Sequence, residues 1–325
     1  MVRILQVVER MTTWMMNNAK WRAERNNGIA VLSLFDGISG ARVALDKAGI
    51  PVKVYHSSEI DKYTLQIADK NYPQDTRHRL GDILECSFTD EITCDLLIGG
   101  SPCQDLSSSN VWSEKRGLGG KKSSLFWEYV RVFKEVKPKF FVLENVGSCR
   151  KEDRDTISRE LGVEPVRLNS KFFLPQNRNR LYWTNIPFTV PVKPLHDKTM
   201  QDLLETDTDD KYHLSEKMRD CVMKPATKGW VSGKMETDLA IARPITATMF
   251  KMHRADTDNY ITTDKTPQNK TNLRRLTPVE CERLQGFEDN YTQGVSDTQR
   301  YKMLGNGFTT DAIAHILKGM RRTLL

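Results

Sequence analysis

None of the six cysteines stands in a C-x-x-C pair, which removes the usual spacing of a structural zinc site or a disulfide framework. A reducing compartment and no metal are the simplest expectation. No apolar run approaches the roughly 18 residues that a bilayer span needs. The first 28 residues lack a secretory core as well, because Gln6, Glu9 and Arg10 interrupt it. The expectation is therefore an intracellular chain with no membrane partner. With 38 % hydrophobic and 28 % charged residues the composition excludes both a disordered and a membrane-embedded protein, and 325 residues suffice for a large domain with a small companion. A net charge of +7 favours a polyanionic partner without naming one.

What is present is a set of reactive side chains, each at the end of a predicted strand. The apolar run Leu96-Leu97-Ile98 leads into Gly99-Gly100-Ser101-Pro102-Cys103-Gln104-Asp105-Leu106-Ser107, so the Cys103 thiol sits in a stiffened turn just past a strand. Phe140-Phe141-Val142-Leu143 is a second strand, ending in Glu144-Asn145-Val146, and Gln176-Asn177-Arg178-Asn179-Arg180 precedes a third, Leu181-Tyr182-Trp183. Strand ends are where open α/β sheets place their chemistry. Read alone, Cys103 is as well explained as a buried structural thiol. Its company points elsewhere.

The chain opens with Leu5, Val8, Met11, Trp14 and Met15 at near-helical spacing, an extra helix packed on the domain or an arm along a polyanion. Ala30–Phe35 then reads as a strand and Ala41, Ala44, Leu45 and Ala48 as one helix face stopped by Gly49. Between them Asp36-Gly37-Ile38-Ser39-Gly40 is a glycine-bearing turn of dinucleotide-fold type. Glu59, after the strand Val52–His56, falls where an acidic residue meets a ribose, roughly 20 residues on. The stretch 114–122 is basic and glycine-rich, a solvated loop or a lid whose Lys115, Arg116, Lys121 and Lys122 meet phosphates. Leu125, Phe126, Val130, Phe133 and Val136 form one apolar stripe. From 187 to 272 periodicity fades, and the 13 Lys/Arg there balance 13 Asp/Glu, so the basic excess of the chain lies elsewhere. Thr246, Thr248, Lys251 and Arg254 are the candidate contacts of this stretch. Thr277 with Pro278 and Glu280 spells a capping box, and Ile313, Ile316, Leu317 and Met320 a final helix face.

Pro102-Cys103-Gln104, Glu144-Asn145-Val146 and Gln176-x-Arg178-x-Arg180, in this order, resemble the cytosine-5 DNA methyltransferase family from about Ala30 to Lys318, leaving out the variable stretch near 187–270. The overall pattern is of the bacterial or phage type, while Ser101–Ser107 and Asp153–Arg159 are similar to the animal de novo enzymes. The resemblance implies a Rossmann-like α/β fold, a mixed and mostly parallel sheet with the last helix folded back beside the first strand. It implies residues 29–186 and 273–325 as the catalytic and cofactor-binding part, 187–272 as target-recognition domain and 1–28 as an extension. It further implies S-adenosylmethionine held by Phe35, Asp36, Gly37, Ile38, Gly40, Glu59, Ile60, Asp82, Ile83, Pro102, Leu125 and Asn306, with S-adenosylhomocysteine as product. Duplex DNA would be met by Gln104, Ser107, Gln176, the basic loop and the recognition candidates. Cys103 would be the nucleophile, Glu144 the hydrogen-bonding acid, and Arg180, supported by Arg178, the clamp on the base. The chain departs from the family at Ser39, usually glycine, and at Gly307, usually serine. A tRNA cytosine-5 methyltransferase and a catalytically silent DNA-binding homologue are the alternatives. The long recognition-like segment favours DNA, and the presence of Cys103, Glu144 and Arg180 argues against silence. A monomer in the cytoplasm of a bacterial or phage-infected cell completes the expectation.

Overall fold

The computed structural model describes residues 28–88, 93–101, 125–223, 235–251 and 254–324. The expected contents of 1–27 and of the basic loop lie outside them.

Seven strands form one sheet: β1 (Ile29–Leu34), β2 (Val52–Ser58), β3 (Arg79–Gly81), β4 (Leu96–Gly100), β5 (Phe140–Val146), β6 (Val166–Asn169) and β7 (Asn179–Thr184). Their spatial order is β3-β2-β1-β4-β5-β7-β6. The pairs from β3 through β5 are parallel, and β7 runs antiparallel to both of its neighbours. Strand order reverses between β1 and β4, so a crevice opens outside their carboxyl ends.

The central strands read as continuous apolar runs because both faces are covered. On one face Ile29, Val31, Leu96, Ile98 and Val142 pack under α1 (Gly40–Ala48) and the last helix α8 (Thr310–Leu324), through Ala41, Ala44, Leu45, Ile313, Ile316 and Leu317. The alternate residues Leu32, Leu34, Leu97, Phe141 and Leu143 face α3 (Leu125–Val136) and α4 (Lys151–Leu161). The last helix does lie back against the start of the sheet, as expected. Gly49, at φ 62°, ends α1 by donating its N–H to the carbonyls of the final turn.

Between α2 (Lys62–Asn71) and the C-terminal helices sits a third core. It unites Ile38 and Ile67 with Ala242, Ile245 and Met249, and with Cys281 and Leu284 of α6 (Pro278–Gln285) and Leu304 of α7 (Asp297–Asn306). The 187–272 stretch holds α5 (Glu216–Met223) and β8 (Tyr260–Thr262). Its Leu214, Val222, Ala255 and Tyr260 form a small core together with Leu273. Strand β8 pairs antiparallel with β9 (Leu273–Arg275), one residue past that stretch. Among the described residues no helix is long and apolar enough to cross a membrane.

Candidate active site

A cleft of about 540 Å³ lies at the carboxyl edge of β1, β4 and β5, in the range of small-molecule sites. Its walls come from the glycine turn, the segment after β2, the start of α3, the ends of β5 and β7, and the end of α7.

The turn after β1 holds three residues in the left-handed region, Phe35 (φ 56°), Gly37 (φ 58°) and Ser39 (φ 59°). Such conformations are strained for a residue with a side chain and persist only when the surroundings impose them. Ser39 stands where the family has glycine, and its Oγ donates to Asp36 Oδ2 at 2.8 Å. The same carboxylate accepts from the Tyr55 hydroxyl at 2.5 Å and from Arg79 Nη1 at 3.0 Å, with no side-chain exposure. Burial and the neighbouring Asp36 push the Tyr55 phenol well above its usual range. The Asp36 carboxylate is therefore committed to bracing the turn from within, while the residue itself lines the cleft as expected of the glycine turn.

Glu59 Oε2 accepts from the Gly37 N–H at 2.9 Å, and Oε1 from the N–H groups of Ile60 and Asp61 at 2.8 Å each. This carboxylate thus joins the glycine turn to the start of α2. Beside it Ile60 is 69 % exposed, an apolar surface on the cleft wall suited to a flat ring. Phe35, Gly37, Ile38, Gly40, Leu125 and Asn306 line the same cleft. Asp82 and Ile83 do not. Asp82 Oδ1 caps a short turn by accepting from Leu84 N at 3.0 Å, and that turn drives Ile83 into the core under α3. Ile83 is corrected to a core residue.

On the other wall Arg180 Nε lies 2.6 Å from Glu144 Oε1, both side chains about one-sixth exposed. The antiparallel register sets Tyr182 opposite Glu144 and Arg180 opposite Val146, one step apart on adjacent strands. Burial, with Glu144 alongside, pushes the Tyr182 phenol upward, so it stays neutral beneath the pair. Asn145 Nδ2 donates to Ser101 Oγ at 3.0 Å in the interior, fixing the chain as it leaves β4 just before Pro102. That role was hidden in plain sight within the Glu-Asn-Val motif. Pro102, Cys103, Gln104, Ser107, Lys115, Arg116, Lys121 and Lys122 lie outside the described residues.

Two residues of the third motif are turned inward. Gln176 is fully buried; its Nε2 donates to Leu284 O at 2.8 Å and its Oε1 accepts from Ile245 N at 2.9 Å. It has no route to DNA and is corrected to a structural staple. Arg178 is 3 % exposed, and its guanidinium donates to the carbonyls of Ile245, Gly305 and Gly307. These bonds hold the protein's own backbone beside the cleft, which Arg178 also lines, so its place is that of a support to Arg180. Of the recognition candidates, Thr248 and Lys251 are exposed, whereas Thr246 Oγ1 and Arg254 Nε are buried without a hydrogen-bond partner. Gly307 has an ordinary φ of −73°, and a Cβ there would lie 3.1 Å from Met303 O, a tight contact, so no special backbone demands glycine. Sequence reasoning missed Asp61 and Lys302, which pair across the cleft wall at 2.7 Å. No cluster of three metal-ligating side chains occurs among the described residues.

The family described as C-5 cytosine-specific DNA methylase matches residues 29–322. The type II methyltransferase M1.ScrFI of Lactococcus lactis subsp. cremoris is 32 % identical over 90 % of this chain and 78 % of its own. M.NlaX of Neisseria lactamica is 30 % identical over 90 % and 96 %, and M.HhaI of Haemophilus parahaemolyticus 27 % over 89 % and 93 %. Among solved structures, the Entamoeba histolytica methyltransferase EhMeth superposes with a TM-score of 0.70 at 19 % identity, covering 92 % of this chain and 99 % of that one. The S. pombe Dnmt2 methyltransferase gives 0.67 at 18 % identity, covering 91 % and 99 %. These two establish the fold.

Proposed function

Since the chain belongs to the C-5 cytosine-specific DNA methylase family and is a DNA cytosine-5 methyltransferase, we propose that it methylates a cytosine swung out of duplex DNA through a covalent Cys103 adduct. The observation that carries this reading is the Glu144–Arg180 pair, set on the wall of the cleft at the sheet edge where β4 ends; Ser101, next in the sequence, comes two residues before Cys103.

The residues of the cleft fit S-adenosylmethionine. Glu59 presents a carboxylate to a ribose, exposed Ile60 a flat apolar surface to a purine, and the glycine turn and Asn306 backbone and side-chain polar groups. When bound, that cofactor supplies an electrophilic methyl group. Cytosine carbon 5 is a poor nucleophile, and the protein's part is to change that. The Cys103 thiolate adds to carbon 6, forming an S–C bond while the ring π-electrons shift toward carbon 5. Glu144 carries or shares the proton that ends on ring nitrogen 3 and accepts from the exocyclic amine, neutralising charge as it builds. Arg180, already aligned by its ion pair, donates to the carbonyl oxygen at ring position 2. Once carbon 5 has taken the methyl group, loss of its proton expels the thiolate and restores the aromatic ring. The target is stacked in a duplex, so it must first leave the helix, at a cost of a few kcal/mol.

Residues 187–272 act as the target-recognition domain, with Thr248 and Lys251 toward DNA. In this reading the protein is a monomer of a bacterial or phage-infected cell and supplies the modification half of a restriction–modification system, a role that its likeness to type II methyltransferases supports. The test incubates the protein with labelled S-adenosylmethionine and either unmodified duplex DNA or tRNA, and digests the products to nucleosides. Label in 5-methyldeoxycytidine, lost in Cys103→Ala without loss of folding, is expected. Label in tRNA alone, or turnover by Cys103→Ala, overturns the reading.

A further inference from the structure

The two ligand-facing regions of the molecule are joined by one buried clamp. Arg178 Nη1 donates to Ile245 O at 2.7 Å, and Nη2 to Gly305 O at 3.0 Å and Gly307 O at 2.9 Å. Gln176 takes the other side of the same peptide, accepting from Ile245 N. Gln285 Nε2 donates to Leu304 O at 2.6 Å, which secures the preceding carbonyl of the C-terminal segment. The seam between the two segments has no slack: a Cβ on Gly305 would lie 2.2 Å from Ala247 N and from the Thr246 carbonyl carbon. Thr246 Oγ1 is buried there without a partner.

On one side of this seam Gly305, Asn306 and Gly307 line the cleft. On the other, the chain continues from Ile245 to exposed Thr248 and Lys251. A guanidinium offers donors in a rigid planar fork, so it can hold three carbonyls only while all three keep their relative positions. Displacing either segment would strand buried carbonyls, each costly to leave unpaired.

We propose that Arg178 is a positioning residue that couples occupancy of the cofactor cleft to DNA binding by locking residues 245–247 onto residues 304–307. The proposal rests on the methyltransferase reading above. Coupling of this kind is reciprocal: whatever factor the cofactor contributes to DNA affinity, DNA contributes to cofactor affinity. Lysine at position 178 keeps the charge but presents a single ammonium, which cannot reproduce the fork.

The test measures the Kd for an unmodified duplex that the native protein methylates, with and without saturating S-adenosylhomocysteine, by fluorescence anisotropy. In the native protein the product cofactor should tighten DNA binding by about 5-fold or more. In Arg178→Lys that ratio should fall toward one, a change that simple loss of stability would not produce in folded protein. An unchanged ratio in the variant, or a ratio of one in the native protein, overturns the proposal. A native protein that binds neither ligand overturns the methyltransferase reading itself. Should Arg178→Lys fail to fold, hydrogen exchange on the native protein decides. S-adenosylhomocysteine alone should slow exchange in residues 243–251, and DNA alone in residues 303–308. Protection confined to each ligand's own side overturns the coupling.

Discussion

Glu144 faces the cleft because it ends a buried strand at the sheet edge, and Arg180 meets it at 2.6 Å because the antiparallel register brings the next strand's guanidinium alongside. Glu144→Gln keeps the volume but cannot supply the proton or the full acceptor pair. Methyl transfer should fall by about 100-fold or more with an unchanged fold, checked by single-turnover kinetics beside far-UV circular dichroism. A second residue gives a pH dependence. His56 is held below its ordinary pKa of 6.5, first by burial and then by His78, whose ring stands edge-on at 5.0 Å. The unfolded chain takes up that proton first, so stability should fall as pH drops through 6.5 and level off below the folded-state value. Thermal melts between pH 7.5 and 5 should show this slope, and His56→Gln should flatten it. At this scale the meeting of Glu144 and Arg180 was legible from motif and strand-end position, whereas Cys103 lies outside the described residues. Gln176 was misread, and the structural duties of Arg178 and Asp36 went unseen, for a common reason. Their side chains are satisfied by Ile245, Leu284, Gly305 and Tyr55, partners that only the folded chain brings near.

Local signals sufficed for whole elements wherever the stabilising contacts are themselves local. Thr277 Oγ1 accepts from Glu280 N at 3.1 Å, and Glu280 Oε2 accepts from Thr277 N at 2.8 Å, the reciprocal cap spelled by the sequence at the head of α6. What the spelling omits is the second duty of Glu280, whose carboxylate pairs with Arg274 of β9, both side chains buried. The two substitutions should therefore separate in size. Thr277→Ala should cost about 1 to 2 kcal/mol, the worth of a cap. Glu280→Ala should cost about 3 to 5 kcal/mol, because it also leaves Arg274 as an uncompensated buried charge. Urea denaturation resolves the difference, and equal losses would mean that the ion pair contributes nothing beyond the cap. Strands β1, β4 and β5 were legible as apolar runs, and β2 and β7 as strands beside the motifs. The helix α4 was not, since only Ile157 and Leu161 mark its inner face, and β6, β8 and β9 are three or four residues long.

Across the whole molecule residues 187–272 are bound to the seven-stranded part by a shared interior rather than by a linker. Ile38 and Ile67, from the sheet side, share a core with Ala242, Ile245 and Met249 and with Cys281, Leu284 and Leu304. Arg178 and Gln176 then stitch the same interface with hydrogen bonds. Composition marked where the texture changes near residue 187, but a change of texture reports solvent-facing polarity, not whether the apolar remainder faces its own core or a common one. A common core implies common unfolding. Calorimetry should give a single endotherm, and the strongly protected amides of 140–146 and 273–276 should exchange with the same free energy. Gly305 provides the perturbation. A methyl group at that position would collide with the backbone of residues 246 and 247, so Gly305→Ala must push the two segments apart or distort α7. Overpacking of this kind costs about 1 to 3 kcal/mol. The variant should melt lower but still in one step, since the displaced seam belongs to the core both parts use. Two separated transitions, with residues 140–146 retaining native protection while 273–276 lose theirs, would mean instead that the recognition stretch folds on its own and that the seam is a docking contact.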